Sequence, residues 1–474
     1  MSRFTRRAFL GTTALAVTGL AACSTENPLI LPTDPLVGRT ETARGGTGRV
    51  RSATLTAITG QVDLGGPVVD TWTYDGVAPG REIRVTAGDL IEARLVNRLP
   101  VETSIHWHGL ALRNDMDGVP GLTQARIKPG EEFTYRFVAP TPGTYWFHPH
   151  TGTQLDRGLY APLIVEDPRE PGGYDAEWTV VLDDWIDGAG TTPDQVLAAL
   201  RRGGGHSMHG MGGRTAGGDV TYPHYLLNGR VAGAPMTFTA EPGQRVRIRF
   251  VNVGSDTAFR VALGGHRMTV THTDGFPVIP VDTDVLLIGM GERYDVLITL
   301  SDGVFPLVAQ AEGKEGAAFA LARTGTGAAP PPSIRPDELR RRPVGYPELK
   351  AAEPLPARRP DVTHRLALTG GMMDYRWGIN GRAGDHSDRS RVRSGQRVRV
   401  EFVNTTMMWH PMHVHGHTFQ QEGGPRKDTV IVPAGRIVAC EFDADNPGQW
   451  MIHCHNTYHA EAGMTTVLGY ESSS

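Results

Sequence analysis

Three stretches of the chain open on glycine and then alternate polar and apolar residues with a period of two. They are Gly88-Asp89-Leu90-Ile91-Glu92-Ala93-Arg94-Leu95-Val96-Asn97, Gly243-Gln244-Arg245-Val246-Arg247-Ile248-Arg249-Phe250-Val251-Asn252 and Gly395-Gln396-Arg397-Val398-Arg399-Val400-Glu401-Phe402-Val403-Asn404, spaced 155 and 152 residues apart. A turn followed by that alternation predicts a half-buried strand. Its recurrence predicts three copies of one structural unit. The middle copy adds a similar run, Gly291-Glu292-Arg293-Tyr294-Asp295-Val296-Leu297-Ile298. The expected fold class is all-β, with three Greek-key β-sandwich domains over residues 45–167, 175–322 and 362–474. Residues 324–361 are rich in Pro, Ala and Arg, including Ala328-Ala329-Pro330-Pro331-Pro332, and read as an extended linker crossing the surface.

Composition agrees with this picture. A chain of 474 residues accommodates two to four domains, and its 59 glycines and 34 prolines suit many short strands and turns. A net charge of −4 gives no argument for nucleic acid as a partner. The first residues stand apart from the fold. Thr5-Arg6-Arg7-Ala8-Phe9-Leu10 is a twin-arginine pattern, and the apolar run over residues 8–22 is too short to span a membrane. Leu20-Ala21-Ala22-Cys23 resembles a bacterial lipoprotein cleavage box. Residues 1–22 are therefore expected to be removed, leaving Cys23 as a lipidated first residue; the alternative is an ordinary signal peptide. Either way the protein is expected to be exported, periplasmic or at the cell surface. A monomer is the expected state.

The outer copies share a second pattern that the middle copy lacks. Pro142-Gly143-Thr144-Tyr145-Trp146-Phe147-His148-Pro149-His150 aligns with Pro447-Gly448-Gln449-Trp450-Met451-Ile452-His453-Cys454-His455, and His106-Trp107-His108-Gly109 aligns with His413-Val414-His415-Gly416. Of 18 histidines, ten fall in four groups: His106/His108, His148/His150, His410/His413/His415 and His453/His455/His459. On a strand, residues two apart point the same way, so each His-X-His aims two imidazoles at one side. Four such pairs at matched positions of two repeats point to metal. Histidines alone would leave zinc open. Cys454 decides otherwise, because a thiolate, two imidazoles and a distant thioether form the ligand set of a blue-copper site. His410, Cys454, His459 and Met464 supply it. Cys440, within Arg436-Ile437-Val438-Ala439-Cys440-Glu441-Phe442, reads as a small core residue. Cys454 leaves one face of its strand while His453 and His455 leave the other, and consecutive Cα atoms are only ~3.8 Å apart. The remaining pairs, 106/108, 148/150 and 413/415, complete a pocket for more than one metal. Because they come from the first and third domains, that pocket is expected at their interface.

These motifs resemble the four copper-binding motifs of the multicopper oxidases, the laccase-like family, over nearly the whole chain beyond residue 22. The resemblance implies cupredoxin-like domains and four copper ions. It implies a type 1 copper on His410, Cys454, His459 and Met464, a type 2 copper on His106 and His413, and a type 3 pair on His108, His148, His150, His415, His453 and His455. It further implies one-electron oxidations coupled to reduction of O2 to water. Asp117, in Asn114-Asp115-Met116-Asp117-Gly118, matches the family's acid near the cluster, a proton relay; a turn-forming Asp-Gly is the competing reading. Many bacterial relatives carry an acid directly after the second type 1 histidine. Here that residue is Ala460, and Glu461 follows one position late. His417 is extra.

Two features favour Cu(I) as the reductant. His206-Ser207-Met208-His209-Gly210-Met211 lies in a Gly-rich insertion, where thioethers and imidazoles suit Cu(I). Met372-Met373 and Met407-Met408 are the second feature, with Met408 close to His410 in sequence. Incidental residues in a loop, and packing of Met against Trp409, are the competing readings. Thr406 stands where some cuprous oxidases have an acid. The expected activity is an exported oxidase of Cu(I) or of small aromatic reductants, with a role in copper tolerance. A laccase acting mainly on phenols or aromatic amines, and a non-catalytic copper-binding protein, are the alternatives.

Overall fold

A computed structural model of the protein describes residues 27–170, 172–203, 217–384, 386–387 and 389–472. The twin-arginine segment, Cys23 and the loop with His206, Met208, His209 and Met211 lie outside the described residues. Among the described residues the strands form six sheets, two in each third of the chain. In all three units the repeated strand lies parallel to an earlier strand and antiparallel to a later one. Leu90–Asn97 sits between Val50–Asp63 and Glu132–Val138, Arg245–Asn252 between Ala176–Trp185 and Arg293–Thr299, and Arg397–Asn404 between Val362–Gly371 and Ile437–Asp443.

The asparagine that ends each repeat closes the same corner three times. The Asn97 amide donates to Val101 O and Ile127 O, Asn252 to Thr257 O and Ile288 O, and Asn404 to Met408 O and Val432 O. Its Oδ1 accepts from the backbone N–H two residues on, at 2.9 Å in every case. A buried amide side chain with all these partners satisfies backbone groups that would otherwise be stranded where the chain leaves the sheet.

The middle repeat departs from the half-buried expectation. Seven of the eight residues of Arg245–Asn252 are buried, including Arg247 and Arg249 at 3% exposure each. Their face packs on the first unit. Asp295 lies between the two guanidinium groups, 2.6 Å from Arg247 Nη2 and 2.9 Å from Arg249 Nη1, and also accepts from Thr144 Oγ1 at 2.7 Å. The segment 324–361 is more firmly held than a surface linker: Leu339 and Leu349 are buried, and the Tyr346 hydroxyl donates to Glu292 while accepting from Ile431 N.

Ahead of the first sheet, a helix over Pro35–Arg44, capped by Asp34, was not anticipated from the alternation. It ties the outer units together. Glu41 accepts from Val138 N and Arg44 donates to Asn446 Oδ1, while Ile30, ahead of the helix, donates its N–H to Tyr470 O.

Burial works against the charge of Asp295, but Arg247 and Arg249 outweigh it and hold the carboxyl below its usual range. Its contribution is present above the unfolded value of 3.8 and is lost only as pH falls through the lower folded value. Asp295→Asn leaves two buried guanidinium groups facing a neutral amide, with Arg247 still paired to Glu170 and Arg249 to Glu177. The expected cost is about 1–3 kcal/mol, read from the denaturation midpoint. A loss within the ~0.5 kcal/mol typical of surface changes contradicts this account.

Candidate metal centre

Strand register brings the histidines together. His106–His108 pairs antiparallel with Gly143–His148, setting His106 opposite His148. In the third unit His410–Val414 pairs with Gln449–Cys454, setting His413 opposite His453 and Met412 opposite Cys454. Alternation then separates two groups of donors on either side of one strand.

On the cysteine side, His410 Nδ1 and His459 Nδ1 lie 3.1 Å apart, each 3.7 Å from Cys454 Sγ. The far nitrogen of each ring is held. His410 Nε2 contacts Thr406 Oγ1 at 2.8 Å, and His459 Nε2 donates to Asp219 Oδ2 at 2.8 Å. The short helix Thr457–Glu461, capped by Asn456, carries His459, and Met464 is fully buried just beyond it. Cys454 N donates to Met464 O and Met464 N to His459 O, which fixes the loop between these three residues. Burial opposes a charge on His459, but the Asp219 carboxylate and the Cys454 sulfur outweigh it and push the ring up to about 10. Surroundings this anionic favour a cation.

On the other side, eight histidines converge in three groups whose ligand atoms lie within 4.8 Å: His106, His108 and His413; His108, His148 and His455; and His150, His415 and His453. Asp117 joins His106 and His415 in a further group. Burial pushes His108, His148, His150, His415, His453 and His455 well below the ordinary imidazole value, so these rings are neutral, as ligation requires.

The protons are directed outward. His106 Nδ1 donates to Asp117 O, His148 Nδ1 to Pro149 O and His413 Nδ1 to Asp428 O, leaving three buried Nε2 atoms with no partner. His453 Nδ1 donates to Cys454 O and His415 Nδ1 to the Asp117 carboxylate, so both Nε2 atoms are bare, yet they face each other at 3.1 Å. Two lone pairs at that separation repel unless a cation lies between them. Stranded nitrogens and opposed lone pairs, beside a thiolate-imidazole group, fit copper.

Asp117 is fully buried, 3.0 Å from His415 Nδ1 through its carboxylate and 3.0 Å from His106 Nδ1 through its carbonyl. Glu461 lines a cavity of about 250 Å³ with His150 and His386, and burial raises its carboxyl. Met408 packs in the core at 8% exposure, and it is Met407, at 78%, that faces solvent. Met372 and Met373 are exposed at 39% and 96%, in the turn leading to Trp377, whose ring lies 4.2 Å from that of His459. His417 sits outside the donor groups, its Nε2 2.6 Å from the Tyr470 hydroxyl. Asp219 and Asp428 were not singled out from the sequence. Each acts across more than two hundred residues, Asp219 on His459 and Asp428 on His108 at 3.0 Å, and no local spacing announces a lone acid.

Family models described as multicopper oxidase match residues 57–170, 176–327 and 357–474. The chain is 50% identical to the multicopper oxidase MmcO of Mycobacterium tuberculosis, with 99% of this chain and 97% of that protein covered. It is 29% identical to a copper resistance protein A homolog of Pseudomonas syringae pv. tomato, over 85% of this chain and 90% of that one. The laccase of Botrytis aclada superposes with a TM-score of 0.77 at 25% identity, covering 92% of this chain and 90% of that one. The chain belongs to the multicopper oxidase family, copper-containing oxidoreductases with oxygen as acceptor.

Proposed function

We propose that the protein is an exported oxidase that takes single electrons from Cu(I), and also from phenols, and serves copper tolerance. The observation that carries this reading is the back-to-back arrangement at His453-Cys454-His455, with one donor group on the cysteine face and three all-histidine groups on the other. In this reading His410, Cys454, His459 and Met464 hold one copper and His106 with His413 a second. A third takes His108, His148 and His455, and a fourth His150, His415 and His453. When bound, these coppers supply one-electron redox chemistry and the site where O2 becomes water. The chain's own part is to join the two sides by single backbone steps, to hold the imidazole protons outward, and to keep Asp117 beside His415 as a proton relay. Glu461, lining the neighbouring cavity, is a second candidate relay.

Several features support Cu(I). The exposed Met372 and Met373 precede Trp377 on the His459 face, and the Asp219 carboxylate places negative charge at the outer nitrogen of His459. Thioether sulfur suits Cu(I). His206, Met208, His209 and Met211 add the same donor types in sequence, and one relative is named a copper resistance protein. Likeness to a laccase favours phenols as a second substrate class. Export rests on Thr5-Arg6-Arg7-Ala8-Phe9-Leu10, and a lipid anchor at Cys23 on Leu20-Ala21-Ala22-Cys23.

Oxygen uptake by the copper-loaded protein, with Cu(I) and with a dimethoxyphenol in turn, tests the reading. Uptake with neither sinks it. Cys454→Ser is expected to abolish the blue absorption and turnover together, and a blue Cys454→Ser protein would remove the thiolate from the site. Asp117→Asn is expected to slow turnover about 10²–10⁴-fold with the blue absorption kept; unchanged turnover would leave Asp117 as a turn residue. Leucine at both Met372 and Met373 is expected to raise KM for Cu(I) several-fold and leave KM for the phenol unmoved. Equal shifts for both substrates would rule out a Cu(I) role for this turn.

A further inference from the structure

Residues 175–322 hold no His-X-His pair, yet one turn of that unit abuts the histidine cluster. We infer that the middle unit positions the cluster from outside, through Gly291 and Arg293, and so sets the orientation of His108, His413 and His455. This rests on reading the eight histidines as copper ligands.

Gly291 has a φ of +82°, and a Cβ added there would lie 2.8 Å from His455 Cδ2 and 3.0 Å from His108 Cε1. The turn is therefore a wall against two ligand rings that tolerates no side chain. Its position is fixed: Gly291 N donates to Asn252 O, and Gly291 O accepts from Arg293 Nη1 at 3.0 Å.

Arg293 is fully buried and joins all three units. Its Nε donates to Thr144 O of the first unit at 3.0 Å. Its two Nη atoms grip Asp428 of the third unit at 2.8 and 2.6 Å. Asp428 Oδ1 also accepts from His108 Nε2 at 3.0 Å, and Asp428 O accepts from His413 Nδ1 at 2.9 Å. A carboxylate alone can rotate, whereas a bidentate guanidinium fixes its plane. The fork thus determines where His108 points its proton, and hence its bare Nδ1.

Asp274, also from the middle unit, secures the backbone on both sides of this pair. It accepts from Arg293 N at 2.8 Å and from Asp428 N and Thr429 N at 3.2 Å each, while Lys427 lies 3.1 Å away. The glycine of His106-Trp107-His108-Gly109 makes room for the arrangement, since a Cβ at Gly109 would lie 2.5 Å from Arg293 Nη2 and 2.6 Å from Asp428 Oδ2.

The test uses the full-length copper-loaded protein, with Arg293→Met, Arg293→Lys and Gly291→Ala beside the wild type. Four quantities are read: copper per chain, blue absorption, the paramagnetic resonance signal of histidine-bound copper, and the unfolding temperature of the metal-free protein. Arg293→Met is expected to weaken histidine-bound copper about 10–100-fold while blue absorption per chain is kept. Arg293→Lys, with the charge but not the fork, recovers only part. Gly291→Ala alters the resonance signal with blue absorption kept. Wild-type copper content and signal in Arg293→Met and Gly291→Ala overturn the inference. So does a joint loss of blue absorption and histidine-bound copper that tracks a fall in the metal-free unfolding temperature, since the pair would then only hold the units together. Should Arg293→Met fail to fold, Gly291→Ala decides by the same readouts. A wild type without histidine-bound copper overturns the underlying reading as well, which separates that failure from one confined to the variants.

Discussion

An imidazole offers a metal only the nitrogen that does not carry its proton, and the surroundings of the clustered histidines settle which nitrogen that is. Backbone carbonyls of Asp117, Pro149, Asp428 and Cys454 take the protons of His106, His148, His413 and His453. Carboxylates of Asp117, Asp428 and Asp219 take those of His415, His108 and His459. Each such bond fixes a tautomer and a ring orientation together. With the protons turned outward, the inward nitrogens are left facing one another, an arrangement that a cation relieves.

The rest of the fold serves that arrangement. Sheet register sets His106 opposite His148 and His413 opposite His453, and the two-residue period puts Cys454 on the other face of the same strand. The asparagine corners repeat in all three units, so the strands that carry the histidines start from equivalent frameworks. Where the framework must instead join another unit, as at Arg247 and Arg249, the polar face is buried and paired.

Much of this was legible in the sequence, because it is written in short spacings. The glycine-led alternations gave the unit and its recurrence, His-X-His gave facing imidazoles, and Cys454 between two histidines gave two opposed sites. What stayed hidden acts at long range. Arg293, Asp428 and Asp219 look like ordinary solvated charges until the chain folds around them, and Arg247 and Arg249 look like the wet face of a strand. The helix Pro35–Arg44 lacks an apolar periodicity to announce it, since it is held by polar contacts of Glu41 and Arg44. Met408 and Met407 are adjacent in sequence and differ only in which one the turn points inward.

Four of the cluster's histidines come from residues 45–167 and four from residues 362–474. A cation shared between the two sets can be bound only while those units are docked, so metal occupancy and docking are thermodynamically linked. A ligand at a thousandfold excess over its dissociation constant adds about 4 kcal/mol to the state that binds it. Neither Cys440 nor Cys454 is bonded to another sulfur, so among the described residues no disulfide cross-links the chain. In the proposed reading, bound copper adds to the docked state as a covalent staple would, by an amount set by the free metal concentration around the protein.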